Sequence, residues 1–522
     1  MQTRVMGFAA AVAMAVSGCT TIPEGSPDAA TAGSSVDPVH RQATVSVDFS
    51  RSKGEFLHPE RFNNVSRPTS FPQARDADVA FFNDQGLHGS IYRVWVDTHL
   101  IHDPQTGEYD YAIVDDYLAD LSRLSDHLLV ALDTRVQVRD RGETPAQIKP
   151  VIKTILRDLK RRYPAVRYIE AFNEPDHNMV KAVKPEDLYD YFVPYYEAVN
   201  EVNRELQPDV PLEVGGPALT TLKEDWLNAF LDDYAADTNP GKRLDFISYH
   251  AYGLFTSGGP AEEGPRAYHF YKGDPSEVSG QRAQIEAALR SRGLDTTIPS
   301  FLTEIGIYPG PSFDNANDPR PDYLRNAVGV PSLIYWFLDQ PHTIPFNWVL
   351  RHKTEERKDQ LITRARDGQP MAVKAGEDEK EVPTGIFTPY GNAMVMFSKL
   401  KDERVVADSD ALKAGKGIYA IATKDNTGAA VLVWNYQLTD SQSFRVTLDM
   451  NQLPAALRGK PLIRKQYRID DRISNYWANP ATANLQQVSE TTIVPGDRHQ
   501  MTFDLTPNAL QLVTIELEGR KP

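Results

Sequence analysis

The chain of 522 residues contains a single cysteine, Cys19. No internal disulfide is open to it, so its folded part relies on packing, hydrogen bonds and ion pairs. A basic surplus is also missing. Asp and Glu number 71 against 56 Lys and Arg, a formal net charge of −15, and no run of base interrupts that balance. Binding to a phosphate backbone therefore has no electrostatic support, and nucleic acid is not an expected partner. No Gly-rich phosphate loop is present, and His, Asp and Glu are scattered without ligand spacing. Neither a metal nor an organic cofactor is implied. There is no internal repeat, and nothing in the sequence speaks to an oligomeric state. The leading apolar run, Val5 to Val16, is too short to span a bilayer as a helix.

That run has the length of a signal-peptide core, and Arg4 precedes it. It ends in Ser17-Gly18-Cys19, which resembles a bacterial lipoprotein cleavage site, with Val16 where Leu is commoner. The resemblance implies a signal peptide over 1–19, lipidation at Cys19 and membrane attachment by the N-terminal lipid. Thr20 after the cysteine implies the outer membrane. Residues 20–41, rich in Ser, Ala, Pro, Gly and Thr, suit a flexible tether. A plain secretory signal with an incidental cysteine is the competing reading.

From residue 42 short apolar runs alternate with amphipathic helical patterns. Buried parallel strands are expected at Ile91–Val96, Leu128–Leu132, Tyr168–Phe172, Leu212–Gly215, Phe246–Tyr249, Phe301–Ile305 and Leu333–Leu338, with a less regular one at Phe62–Arg67. Eight such units imply a (β/α)₈ barrel over 42–400. After residue 400 strands follow one another without helices, which predicts a β-sandwich over 401–522. Thr44–Phe49 is read as a strand of that sandwich. The charged stretch 352–383 is expected as an exposed excursion near the active face.

Chemistry in such barrels sits at the C-terminal ends of the strands. The fourth expected strand ends in Asn173-Glu174-Pro175 and the seventh in Thr303-Glu304. Two carboxylates in one mouth meet the needs of glycoside hydrolysis: one protonates the leaving oxygen and the other attacks the anomeric carbon. The acid must keep its proton, so a raised pKa is expected for Glu174; Glu304 must stay ionised and needs donors. Arg93, His250 and Tyr252 are placed to supply them. Each has a plainer reading: Arg93 a core ion pair, His250 a satisfied buried histidine, Trp336 packing between barrel and helix. Their ordered appearance at strand ends favours the joint reading.

In order, Ala171-Phe172-Asn173-Glu174-Pro175, Val214-Gly215-Gly216-Pro217-Ala218, Asp245-Phe246-Ile247-Ser248-Tyr249-His250-Ala251-Tyr252 and Leu302-Thr303-Glu304 resemble glycoside hydrolase family 39. That group includes β-xylosidases, α-L-iduronidases and enzymes that trim exopolysaccharides. Looser likeness extends over 42–517, through Tyr335–Asp339, Gly385–Phe387 and Tyr467–Asp470. The resemblance implies a retaining hydrolase with Glu174 as acid/base and Glu304 as nucleophile. It further implies Asn173 on the sugar 2-hydroxyl, His250 and Tyr252 beside the nucleophile, and Trp336 as a sugar platform.

This sequence departs from the β-xylosidases after Arg93, where Trp95 replaces a histidine in Arg93-Val94-Trp95-Val96-Asp97. Trp95 thus stands where the first sugar would be read, and Asp97, Asp133, Arg135, Asp176 and His177, at or just past strand ends, are possible cleft residues. The expected substrate is an oligo- or polysaccharide whose sugar these departures leave open. A related enzyme acting on agar-type or β-glucan chains shares both glutamates. A non-catalytic glycan-binding lipoprotein needs neither.

Overall fold

The computed structural model describes residues 40–68, 76–252, 254, 274–307, 323–351, 360–363, 365–366, 369–370, 386–437 and 441–518. The expected signal peptide, Cys19 and the tether up to residue 39 lie outside them, as does most of the 352–383 excursion. Among the described residues no helix is long and apolar enough to cross a membrane.

The first strand, β1 (Arg41–Glu55), belongs to the C-terminal sheet. Eight parallel strands then close into a barrel in chain order: β2 (Phe62–Asn64), β3 (Gly89–Asp97), β4 (Ser125–Asp133), β5 (Val166–Ala171), β6 (Glu213–Leu219), β7 (Phe246–Ala251), β8 (Ser300–Ile305) and β9 (Thr343–Asn347). The seam between β9 and β2 is short, with Asn63 paired to Asn347. The Asn347 side chain reinforces it, donating to the carbonyls of Pro59 at 2.7 Å and Phe62 at 3.0 Å.

The two-residue period of a strand fills this barrel in layers. Phe62, Ile91, Leu129, Tyr168, Phe246, Phe301 and Phe346 form an apolar plug toward the N-terminal ends. Two residues further along β2, β3 and β5 come Asn64, Arg93 and Glu170, all fully buried. The functional side chains stand above that polar layer. Between strands, helices bury one face each. Pro145–Arg162 starts at Pro145 after the cap Thr144, with Gln147 Oε1 accepting from the Thr144 N–H at 2.8 Å, and buries Ile148, Ile152, Ile155 and Leu159.

One expected strand is corrected. Leu333–Leu338 is not the eighth strand; it falls almost wholly within the helix Tyr323–Phe337, and Thr343–Asn347 takes the strand's place. The helix packs between barrel and sheet, so it is apolar on both sides and carries no helical stripe that would distinguish it from a buried strand. The true strand is short and contains Pro345, which weakens its signature.

The rest of the chain forms a ten-stranded mixed sheet that curls over its own core. In it β1 pairs in parallel with Phe444–Asn451 and antiparallel with Glu403–Ser409. Alternation assigns its two faces. Ala429, Val431 and Val433 enter the sheet's own core, while Ala430, Leu432 and Trp434 join the core of the barrel. Trp434 donates to Ser332 Oγ at 2.9 Å, across that junction.

Candidate active site

Arg93 organises the site. Its guanidinium, buried at the centre of the polar layer, donates through Nε to Glu170 Oε2 (2.6 Å) and through Nη1 to Glu304 Oε1 (2.8 Å) and Asn64 Oδ1 (3.1 Å). Nη2 donates to Asn173 Oδ1 at 2.9 Å. Arginine has no acceptor, so this contact fixes the amide of Asn173 and turns its NH₂ away from the guanidinium. Burial works against the Arg93 charge, but Glu170 and Glu304 outweigh it and raise its pKa further.

Glu304 sits at the end of β8, 6% exposed. Its second oxygen, Oε2, accepts from the Tyr252 hydroxyl at 2.5 Å and lies 3.6 Å from His250 Nδ1. Charged and neutral donors thus hold it on both oxygens, as an ionised nucleophile requires. Glu174 follows β5 through a sharp turn. Phe172 and Glu174 both take positive φ (70° and 51°), and the Glu174 N–H donates to the Ala218 carbonyl at 2.8 Å. Left-handed backbone at two non-glycine residues costs energy that the surrounding pairing must offset, and such residues gather at functional sites. Glu174 Oε1 meets His250 Nδ1 at 3.0 Å. One oxygen of Glu174, one of Glu304 and a ring nitrogen of His250 all lie within 4.8 Å of one another.

The electrostatics reverse one expectation. Burial pushes the Glu174 carboxyl up, but the hydrogen bond and charge of His250, with His177 and Arg93 behind it, hold it below its ordinary value. His250 is fully buried, which disfavours its charged form; Glu304 and Glu174 override that and raise its pKa above 6.5. Both shifts favour the proton on the imidazole over Glu174, against the raised Glu174 pKa expected from the sequence.

Trp95 and Asp97 are both buried and already in contact with other side chains. Two guanidiniums lie against the Trp95 ring, Arg67 with Cζ at 4.3 Å from the centroid and Arg93 at 4.6 Å. Arg67 also pairs with Asp97 and, at 3.4 Å, with Asp133. Arg135 Nε lies 3.2 Å from the same Asp133 oxygen, Oδ2. Asp176 is buried and clamped by Lys223 at 2.7 Å and by the Thr220 N–H at 2.9 Å, so it anchors the turn after Glu174. His177 is exposed.

Trp336 is misplaced by the sequence reading. It lies on the helix Tyr323–Phe337 and donates to the Tyr419 hydroxyl at 3.1 Å, in the junction with the sheet. The tryptophan at the end of the last barrel strand is Trp348, half-buried, its N–H on the Ile305 carbonyl at 3.0 Å. Gly306 lies between it and Tyr252: a Cβ there would stand 3.0 Å from the Tyr252 ring and 3.8 Å from Trp348 Cβ. Sequence reasoning also passed over Glu170, although a glutamate inside the apolar run Tyr168–Phe172 is itself a signal. Carboxylates are almost never fully buried unless paired.

Comparison with known proteins follows the same lines. Residues 146–489 match the model of glycosyl hydrolases family 39, a span that holds Glu174, His250, Tyr252 and Glu304. A β-xylosidase from Geobacillus stearothermophilus is 24% identical over 341 residues, covering 64% of this chain and 60% of that protein. The solved β-xylosidase of Caulobacter crescentus superposes with a TM-score of 0.65 at 15% identity, covering 91% of this chain and 100% of that one. A glucosidase from Croceicoccus marinus gives 0.61 at 16%, covering 92% and 100%.

Proposed function

The chain belongs to glycosyl hydrolases family 39, and from that premise we propose that it cleaves a glycosidic bond with retention, using Glu304 as nucleophile and Glu174 as acid/base. The observation that carries the proposal is the spacing of the two carboxylates, an oxygen of each within 4.8 Å. Retaining enzymes hold the pair about 5–5.5 Å apart, whereas inverting ones leave about 6.5–9.5 Å for a water. Glu304, ordered by Arg93 and Tyr252, attacks the anomeric carbon as the bond to the leaving oxygen breaks. Glu174 takes a proton from His250 across 3.0 Å and passes it to that oxygen, which leaves Glu174 a carboxylate. In the second step Glu174 accepts a proton from water, which displaces Glu304 and restores the carboxylate. Asn173, its amide oxygen turned to Arg93, offers its NH₂ to the sugar.

The sugar we assign to this site is neutral and belongs to an oligo- or polysaccharide. Among the described residues Arg67 and Arg135, beside the ends of β3 and β4, are already matched by Asp97 and Asp133, which argues against a uronate there. The β-xylosidase relative is named for a neutral sugar too. We further propose that lipid on Cys19 holds the enzyme at the bacterial envelope, most simply the outer membrane. Radiolabelled palmitate entering the wild-type chain but not Cys19→Ala would support that, and label in both would refute it.

Reducing-end release by protein lacking residues 1–19 tests the activity, on aryl xylosides, glucosides and iduronides, xylan, β-glucans, agar-type galactans and bacterial exopolysaccharides. Release from a neutral glycoside, absent in Glu304→Gln, is expected. Release only from iduronides would overturn the sugar assignment, and equal release by Glu304→Gln would overturn the nucleophile.

A further inference from the structure

Glu170 has no part in the chemistry above, yet it is a carboxylate with no solvent exposure beneath the reacting groups. Its Oε2 accepts from Arg93 Nε at 2.6 Å; its Oε1 is buried without a hydrogen-bond partner among the described residues. A bare buried oxygen on an anion is costly, and an ion pair kept for stability alone could be replaced by apolar side chains at little or no loss. Arg93, however, cannot be apolar, because it holds Glu304 and Asn173.

The charge balance changes during the reaction. Before the reaction Arg93 faces two carboxylates, Glu170 and Glu304. When Glu304 becomes a glycosyl ester its negative charge is gone, and a buried guanidinium with no other partner would be left uncompensated. We propose that Glu170 is a positioning residue that keeps Arg93 charge-paired while Glu304 is esterified, so that the covalent intermediate is stabilised relative to the free enzyme. The inference rests on the assignment of Glu304 as nucleophile.

Glu170→Gln keeps the size and one acceptor oxygen, removes the charge and puts an NH₂ in place of the second oxygen. Arg93 then depends on Glu304 alone, which favours ionised Glu304 in the free enzyme and disfavours the ester. Glu170→Asp keeps the charge but shortens the reach. A role in packing predicts the opposite ranking, with Gln close to wild type and Asp the worse variant.

The test uses the aryl glycoside that the wild-type protein hydrolyses fastest and its 2-deoxy-2-fluoro counterpart, with mass spectrometry of the labelled peptide. In Glu170→Gln, trapping slows about tenfold or more and reactivation quickens by a similar factor. The acid limb of its kcat/KM profile moves to lower pH, while that of Glu170→Asp stays in place. Wild-type rates in Glu170→Gln, or a larger loss in Glu170→Asp than in Glu170→Gln, would overturn the proposal. Should Glu170→Gln not fold, a crystal structure of the trapped wild-type enzyme decides. Arg93 Nε still on Glu170 is expected, and a guanidinium turned away from it is the contrary result. Failure of the wild-type enzyme to label at Glu304 would instead remove the nucleophile assignment itself.

Discussion

His250 has no solvent exposure and lies between Glu174 and Glu304, so the three groups titrate together and their proton belongs to the set. The two carboxylates raise the pKa of His250 above 6.5, and a raised value means that the proton is kept until pH passes it. The basic limb of kcat/KM is therefore expected above pH 6.5, with activity falling as pH rises through it. In His250→Asn only Glu174 is left to hold the acid proton, and the basic limb should move to lower pH by about one unit or more. A limb that stays in place would show that His250 does not feed the acid. Glu174→Ala should slow turnover and spare substrates with very good leaving groups. Added azide should restore rate to that variant and yield a glycosyl azide of retained configuration. At this scale the sequence was legible where chemistry names residue types. Glu174, Glu304, Asn173, Arg93, His250 and Tyr252 come together as the strand-end argument required. The state of Glu174 was not legible, because it depends on a 3.0 Å contact to a residue 76 positions away.

Among the elements, seven of the eight barrel strands follow from short apolar runs, and the eighth does not. The helix Tyr323–Phe337 is apolar on two sides because sheet and barrel both cover it, and its composition therefore mimics a buried strand. That confusion carried Trp336 into the expected site and passed over Trp348, which directly follows the true eighth strand. The correction is measurable. Trp336→Phe removes the bond to Tyr419 and should cost about 1 kcal/mol of stability with KM unchanged. Trp348→Ala, by contrast, should raise KM roughly tenfold with little change in Tm, since it strips an aromatic face beside Tyr252. A KM effect from Trp336→Phe would return that residue to the site.

For the molecule as a whole, the sheet is built from both ends of the described chain, and its Leu432, Trp434 and Leu512 lie in the same core as the barrel helices. From His40 onward the chain forms one compact unit, and no cysteine pair links its parts. Barrel and sheet should therefore unfold in a single calorimetric transition; two separated peaks would show that each is stable without the other. The sequence foreshadowed both parts but not their common core. Which face of a strand meets a neighbour is set by the neighbour, and alternation in a strand buried on both faces is silent.

The account turns on a covalent step at Glu304, and the configuration of the first-formed product reads that step directly. Proton NMR of the anomeric signal during early hydrolysis by the wild-type enzyme should show the substrate's own configuration, with the other anomer rising later by mutarotation. An inverted first product would contradict the double displacement and, with it, the role of every group placed around Glu304.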